Sequence, residues 1–369
     1  VTAPRVLLVS KPLAPPWNDG GKVVPRDVAL HGAGAVFHVL VPRGAGFPRP
    51  DVVAEPVYRG TGAFAPGLLE NARVLARLCR GAPAVDVLHF FFAPNPRTSA
   101  AARLALRLRR RPAVQTILSR PARMEGVGRL LFGDRVVALS HAAAADVRAA
   151  GGRVDRVIPP GLDADAVERE AGAAHAEEGA PVVLFPGDPG PRGGARELVR
   201  AFALAAREAP GARLVLAMRP KTAAAAAEAE ALREEARASG LEGRVEVLGE
   251  VAGFRARLRS AAIVALPAAD LRGKLDYPYV LLEAMALGRP VVVSALPPLV
   301  ELLALGGGEA PGLSAPVGDV PSLARALVRL LCDPAERRAR GAAGAALVRR
   351  HLDPRAAAAA YVELYRELA

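Results

Sequence analysis

The chain has 369 residues, 51% hydrophobic and 23% charged, with only two cysteines, Cys79 and Cys332. That length suits two ordinary cores. The balance excludes a disordered chain, no apolar run reaches the ~18 residues of a membrane span, and two cysteines exclude a disulfide framework. The net charge of +12 is unevenly placed: residues 1–160 carry 23 Lys and Arg against 10 Asp and Glu, and the remainder is close to balance. A basic half either meets an anionic partner or reflects an Arg- and Ala-rich composition with a solvated face. Val1–Arg5 runs straight into the strand-like Val6–Val9 without a signal-peptide pattern, so a cytoplasmic enzyme is expected.

Taken in chain order, Val6–Ser10, Val36–Val41, Val85–Phe91, Ala113–Leu118, Val136–Ser140 and Arg156–Pro160 read as strands, each a short apolar run flanked by Pro, Gly or charge. Gly67–Cys79 and Ser99–Arg109 read as helices between them. The polar, Gly/Ala-rich stretch from Asp165 to Ala180 reads as a linker. The alternation then restarts, with strands at Val182–Phe185, Arg213–Ala217, Val245–Leu248, Ile263–Leu266, Val291–Ser294 and Leu313–Pro316. Helices are expected at Ala195–Arg207, Thr222–Ser239, Tyr279–Ala286, Val320–Leu331, Pro334–Arg350 and Pro354–Leu368. Strands alternating with helices imply two doubly wound α/β halves with parallel sheets, whose ligands bind beyond the strand C-termini.

Three loops carry the candidate chemistry. After the first strand, Gly20 and Gly21 let backbone N–H groups approach a phosphate or sugar, and Lys22 adds a cation. After the first strand of the second half, Gly187, Gly190, Gly193 and Gly194 with Arg192 and Arg196 lead into a helix, a pattern suited to cradling a diphosphate. Neither loop is the GxGxxG of a dinucleotide site, which argues against a nicotinamide oxidoreductase. Third, in Lys274-Leu275-Asp276-Tyr277-Pro278-Tyr279-Val280-Leu281-Leu282-Glu283, a helix opening near Tyr279 aims its free N–H groups at an anion. Glu283 stands in an apolar run, where an idle buried carboxylate is costly; as a ligand it accepts from two sugar hydroxyls.

Over nearly its whole length the chain resembles family 4 of the retaining glycosyltransferases, the group 1 enzymes of GT-B fold. Val157–Asp163 resembles the turn between their domains, Phe185–Gly194 their donor loop, Val280–Ser294 their VLLEAMA.G.PVV.S segment, and Gly312–Asp319 their GLLVPPGD stretch. His351–Asp353 and Tyr361–Tyr365 resemble the terminal helix that crosses back to the first domain. The resemblance implies two Rossmann-like domains facing across a cleft: 1–164 with the crossing helix 354–369 on the acceptor side, and 177–353 binding the nucleotide sugar. It further implies transfer of a sugar from a nucleotide-diphosphate donor with retained configuration, the departing diphosphate itself taking the acceptor proton, without cofactor or metal.

The chain departs from the family at defined positions. The first Glu of the usual Glu-x7-Glu is replaced by Leu275, which leaves Asp276 to contact the donor sugar and Lys274 to bind diphosphate. The usual Arg and Lys of the donor loop are Asp188 and Gly193, with Arg192, Arg196, Arg219 and Lys221 as replacement cations. The His that many relatives place after the strand Val114–Leu118 is replaced by Ser119-Arg120-Pro121, and His89 reads as a packing residue at a strand end. These losses keep two alternatives open: a catalytically inactive GT-B subunit that scaffolds a partner, and a sugar-nucleotide epimerase of the same fold. No nucleic acid is expected. The acceptor is unidentified, a lipid-linked one being consistent with the basic stretch Arg97–Arg111, where Arg103, Arg107 and Arg110 share a helix face that suits an anionic membrane. A solvated Arg-rich helix is the competing reading.

Overall fold

The computed structural model describes residues 2–60, 66–79, 85–121, 123–173, 179–187, 189–190, 192–218 and 223–369. They fall into two compact units: Val1–Gly161 with Leu271–Pro278 and Leu352–Ala369, and Leu162–Asp270 with Tyr279–His351.

The first unit runs β1 (Arg5–Val9), α1 (Gly20–His31), β2 (Val36–Pro42), β3 (Val53–Tyr58), α2 (Leu68–Cys79), β4 (Val87–Phe91), α3 (Pro96–Arg109), β5 (Ala113–Ile117), β6 (Arg135–Ala138), α4 (His141–Ala149) and β7 (Arg156–Val157). Its seven strands lie in the order β3-β2-β1-β4-β5-β6-β7, all parallel. β4 and β5 are buried along their whole length, as expected of parallel strands covered on both faces. β3 has no counterpart among the expected strands. Its sequence Val-Ala-Glu-Pro-Val-Tyr breaks the apolar run with Glu55 and Pro56, a pattern confined to edge strands. The Glu55 carboxylate is met by His38 Nδ1 at 2.9 Å and by the Arg77 guanidinium.

The second unit runs α5 (Ala164–Ala171), β8 (Val182–Phe185), α6 (Ala195–Glu208), β9 (Arg213–Ala217), α7 (Ala223–Ala238), β10 (Val245–Leu248), α8 (Phe254–Ser260), β11 (Ile263–Leu266), α9 (Tyr279–Ala286), β12 (Val291–Ser294), α10 (Pro297–Ala304), β13 (Gly312–Ala315), α11 (Val320–Cys332) and α12 (Pro334–His351). Its sheet is β10-β9-β8-β11-β12-β13, again parallel throughout. The expected linker is corrected at its start: Ala164–Ala171 is a helix, N-capped by the Asp163 carboxylate on the Ala166 N–H at 2.9 Å.

The last helix, α13 (Pro354–Leu368), belongs to the first unit. Asp353 caps it, and Tyr361 and Tyr365 are fully buried on its inner face. The turn at Gly161 depends on this helix. A Cβ there would lie 2.3 Å from the Pro354 Cα, so the two segments touch only because position 161 has no side chain.

Candidate functional site

Each sheet reverses its winding once. In the first unit the chain proceeds outward from β1 in one direction and from β4 in the other; in the second the same happens between β8 and β11. Beyond the C-terminal ends of such strand pairs the loops part and ligands bind. Gly20–Lys22 follows β1 and Gly187–Arg196 follows β8; after β11 the chain passes through Leu271–Pro278, part of the first unit, before α9 with Glu283.

The loop after β1 is filled by its own side chains. Asp19 caps α1, accepting from the Gly21 N–H at 2.8 Å, and its other oxygen takes Lys11 Nζ at 2.6 Å. The helix end expected to greet a phosphate thus already faces an internal carboxylate. Lys22 is only 8% exposed. Its ammonium donates to the Pro16 carbonyl at 3.1 Å and lies 5.6 Å from the centre of the Trp17 ring, and burial pushes its pKa down. It fastens the loop from inside instead of standing on its surface as a cation.

The segment Leu271–Pro278, which leaves the second unit to join the first, carries Lys274, Asp276 and Tyr277. Tyr277 is fully buried, and Asp276 is 2% exposed. Ser140 Oγ donates to Asp276 at 2.9 Å while accepting from the Ala143 N–H to cap α4, and Arg120 Nε lies 3.9 Å from Asp276. The carboxylate expected to contact a donor sugar is therefore directed at Ser140 and Arg120. Arg120 also pairs with Asp146 at 2.5 Å. Lys274 is half-buried and closes a turn through its N–H to the Leu271 carbonyl.

His89 sits in the interior, fully buried, with Nδ1 2.6 Å from the Tyr365 hydroxyl and Nε2 2.8 Å from Thr116 Oγ1. Burial holds its pKa well below the usual imidazole value. It is a packing residue.

In the second unit the loops after β8 and β11 interlock. Gly194 has φ +84°, and a Cβ there would lie 1.9 Å from the Pro267 carbonyl oxygen, so only glycine fits on both counts. The Ala269 N–H donates to the Arg192 carbonyl at 3.0 Å, and the Gly193 N–H to Gly190 O at 2.8 Å. Gly187 abuts the Phe185 ring, which a Cβ would strike at 2.2 Å. The N-cap residue of α6, Gly194, has no side chain, so it does not take the first-turn N–H groups as Asp19 does in α1. Arg192 is exposed, with its guanidinium 3.7 Å from Asp270. Arg196 is turned to Glu228 and Glu235, each at 2.6 Å, and the Glu228 bond leads in raising its pKa. Arg219 and Lys221 lie outside the described residues.

α9 begins directly after Pro278 with Tyr279 and Val280, both partly buried. One turn in, Glu283 meets Arg255 of α8, whose Nε and Nη2 lie 3.0 and 2.7 Å from Oε1. Arg255 escaped the sequence reading because nothing in Phe-Arg-Ala-Arg-Leu-Arg-Ser distinguishes one arginine from the next. Asp19 did carry a signal, an Asx residue directly before a helix. Among the described residues no group of three or more His, Cys, Asp or Glu could hold a metal ion, and no helix is long and apolar enough to cross a membrane.

Residues 180–333 match the family model of "Glycosyl transferases group 1". A stretch of 124 residues is 41% identical to the phosphatidyl-myo-inositol mannosyltransferase of Mycobacterium leprae, covering 33% of this chain and about a third, 31%, of that protein. Among solved structures, Anabaena HepE in complex with UDP and glucose is similar at a TM-score of 0.75 and 18% identity, with 99% of this chain and 100% of that chain covered. The sucrose-phosphate synthase of Thermosynechococcus elongatus is similar at a TM-score of 0.76 and 21% identity, with 99% of each chain covered. At these identities the structural likeness establishes the fold, the two-domain α/β architecture named GT-B.

Proposed function

Because residues 180–333 match the family model of the group 1 glycosyl transferases, we propose that this chain is a retaining glycosyltransferase that moves a sugar from a nucleotide-diphosphate donor to an acceptor. The observation that carries the reading is the second unit's winding reversal. There the start of α6 at Gly194, an N-cap residue without a side chain, stands on a glycine loop held against Pro267 and Ala269, and the same β11 connection leads on to α9 and Glu283. Backbone N–H groups at a helix end suit a diphosphate, and a carboxylate one turn into α9 suits a pair of hydroxyls.

In this proposal the chain supplies binding and charge stabilisation. As the bond to the anomeric carbon breaks, negative charge grows on the diphosphate, and the N–H groups of the Gly187–Gly194 loop, the start of α9 and the Arg192 cation offset it. The acceptor hydroxyl oxygen bonds to the anomeric carbon from the same face while its proton passes to the departing diphosphate oxygen, so this reading assigns no enzymic base and no metal. Lys274, Arg219 and Lys221 are the further cations assigned to this charge; Arg196 contributes less, since two carboxylates already hold it. Asp276, turned to Ser140, is assigned to fixing its segment.

A second element of the reading concerns the acceptor. On α3, Leu104 is 49% and Leu108 61% exposed, beside the exposed Arg97, Arg107 and Arg111. Apolar side chains left in water between cations fit an anionic lipid surface, and the acceptor class we assign is accordingly a lipid-linked one. Arg103 takes no part, because its guanidinium donates to the Arg129 and Leu131 carbonyls. The deciding experiment for the donor is titration calorimetry with UDP, GDP and ADP, followed by donor turnover with and without acceptor extracts. Binding with acceptor-dependent turnover supports transfer; turnover of donor alone to an isomer supports an epimerase; binding of none of the three supports an inactive scaffold.

A further inference from the structure

Helices α5, α8 and α9 bring together three side chains from distant parts of the second unit: Glu170, Arg255 and Glu283. Arg255 lies between the two carboxylates. Its Nε and Nη2 both point to Oε1 of Glu283, while Nη1 turns the opposite way to Glu170. The inner carboxylate, Glu283, has 15% of its side chain exposed, against 64% for Glu170. Burial alone would lower the Arg255 pKa, but the two carboxylates outweigh it and the net shift is upward. The guanidinium is thus charged and gripped from both sides.

An ionised carboxylate has two oxygens and about four acceptor positions. A planar fork whose two N–H groups converge on one of those oxygens holds that oxygen in place, and so sets Oε2 as the oxygen turned away from Arg255. A single point charge at the same distance would not do this, since it attracts either oxygen from any angle. We propose that Arg255 is a positioning residue for Glu283, setting its carboxylate in the one orientation that accepts from both hydroxyls of the donor nucleotide's ribose. The proposal rests on the donor reading above. It also gives α5 a function: the helix that reads as linker in the sequence carries the Glu170 that keeps Arg255 from swinging away.

The test uses the full chain and separates the two readings. The diphosphate among UDP, GDP and ADP that binds the wild type most tightly is titrated beside its 2′-deoxy analogue. A charged hydrogen bond to a hydroxyl predicts a preference for the ribose form of about tenfold or more. Glu283→Gln should reduce that preference to within about threefold. Arg255→Gln should do the same while leaving the affinity for the 2′-deoxy form within about threefold of wild type, a split that general loosening of the fold would not produce. Arg255→Lys keeps the charge without the fork and should resemble Arg255→Gln; it carries the comparison if the Gln variant does not fold. A preference that vanishes in Glu283→Gln but persists in both Arg255 variants overturns the positioning role and leaves the donor reading standing. A wild type that binds the diphosphate without preferring ribose also overturns it. A wild type that binds none of the diphosphates overturns the donor reading itself.

Discussion

The Nδ1 of His89 lies 2.6 Å from the hydroxyl of Tyr365, a partner 276 residues further along the chain. Thr116 Oγ1 holds the other ring nitrogen and stands 3.2 Å from the Tyr361 hydroxyl, so both tyrosines of α13 end on one buried polar cluster. Such a cluster fixes the seating of the terminal helix because every alternative register strands a buried polar group.

His89 makes stability depend on pH in a definite direction. Its folded pKa lies well below the ordinary value of about 6.5, because burial disfavours the charged ring. Above about pH 6.5 both folded and unfolded forms are neutral and the contribution is complete. As pH falls below that value, the unfolded chain takes a proton that the folded chain refuses, and stability drops by up to about 1.4 kcal/mol per pH unit. Urea denaturation from pH 7.5 to 5 should show this slope in the wild type. His89→Gln should be less stable at pH 7.5 and flatter below 6.5; parallel curves for the two proteins would remove His89 as the cause.

Gly194 and Gly190 stand in the same loop but should differ sharply. Gly194→Ala combines a left-handed backbone with a Cβ placed 1.9 Å from the Pro267 carbonyl oxygen. We expect roughly 2–5 kcal/mol of destabilisation and loss of diphosphate binding. Around Gly190 no described residue lies within 4 Å of an added Cβ, and Gly190→Ala should stay within about 0.5 kcal/mol. Equal tolerance at both positions would show that the loop is not pinned to the β11 connection.

Glu283→Ala should abolish transfer while the far-ultraviolet spectrum stays that of the wild type. Losing a charged hydrogen-bond pair costs about 1.5–3 kcal/mol in donor binding, and more where the contact tightens in the transition state. Near-full turnover in this variant would take Glu283 out of the site. Because the change also removes one of the two carboxylates that grip Arg255, Glu283→Gln is the milder companion for the binding measurements.

The outer face of α3 yields a flotation test. Liposomes containing anionic lipid should carry the protein to the top of a gradient at low salt, each cation near the surface contributing about 1 kcal/mol. Arg107→Gln with Arg111→Gln, or Leu104→Ser with Leu108→Ser, should weaken flotation, and added salt should weaken it further. Arg103→Gln should change flotation little, since Arg103 is bound to the Arg129 and Leu131 carbonyls. Absence of flotation at low salt would mean that the basic excess of residues 1–160 is compositional.

The sequence by itself determined the architecture. Six second-half strands, from Val182–Phe185 to Gly312–Ala315, could be read within a residue or so, because parallel strands covered on both faces are short apolar runs set between helical repeats. Gly187 and Gly194 were legible for a related reason: close approach to Phe185 and to the Pro267 carbonyl is a local backbone requirement that only glycine meets. Strand β3 was hidden because an edge position tolerates Glu55 and Pro56, and α5 because a polar eight-residue helix resembles a linker until Val167 and Ala171 are seen to be buried. Side-chain partnership was decided only by the tertiary structure. Arg196 and Arg255 look alike in the sequence, yet one faces two glutamates of α7 and the other grips Glu283. Asp276 is an acid beside a vacant family position until the fold turns it to Ser140. A charge acts on whatever lies within a few ångströms, and in a doubly wound sheet those neighbours come from strands and helices tens to hundreds of residues away.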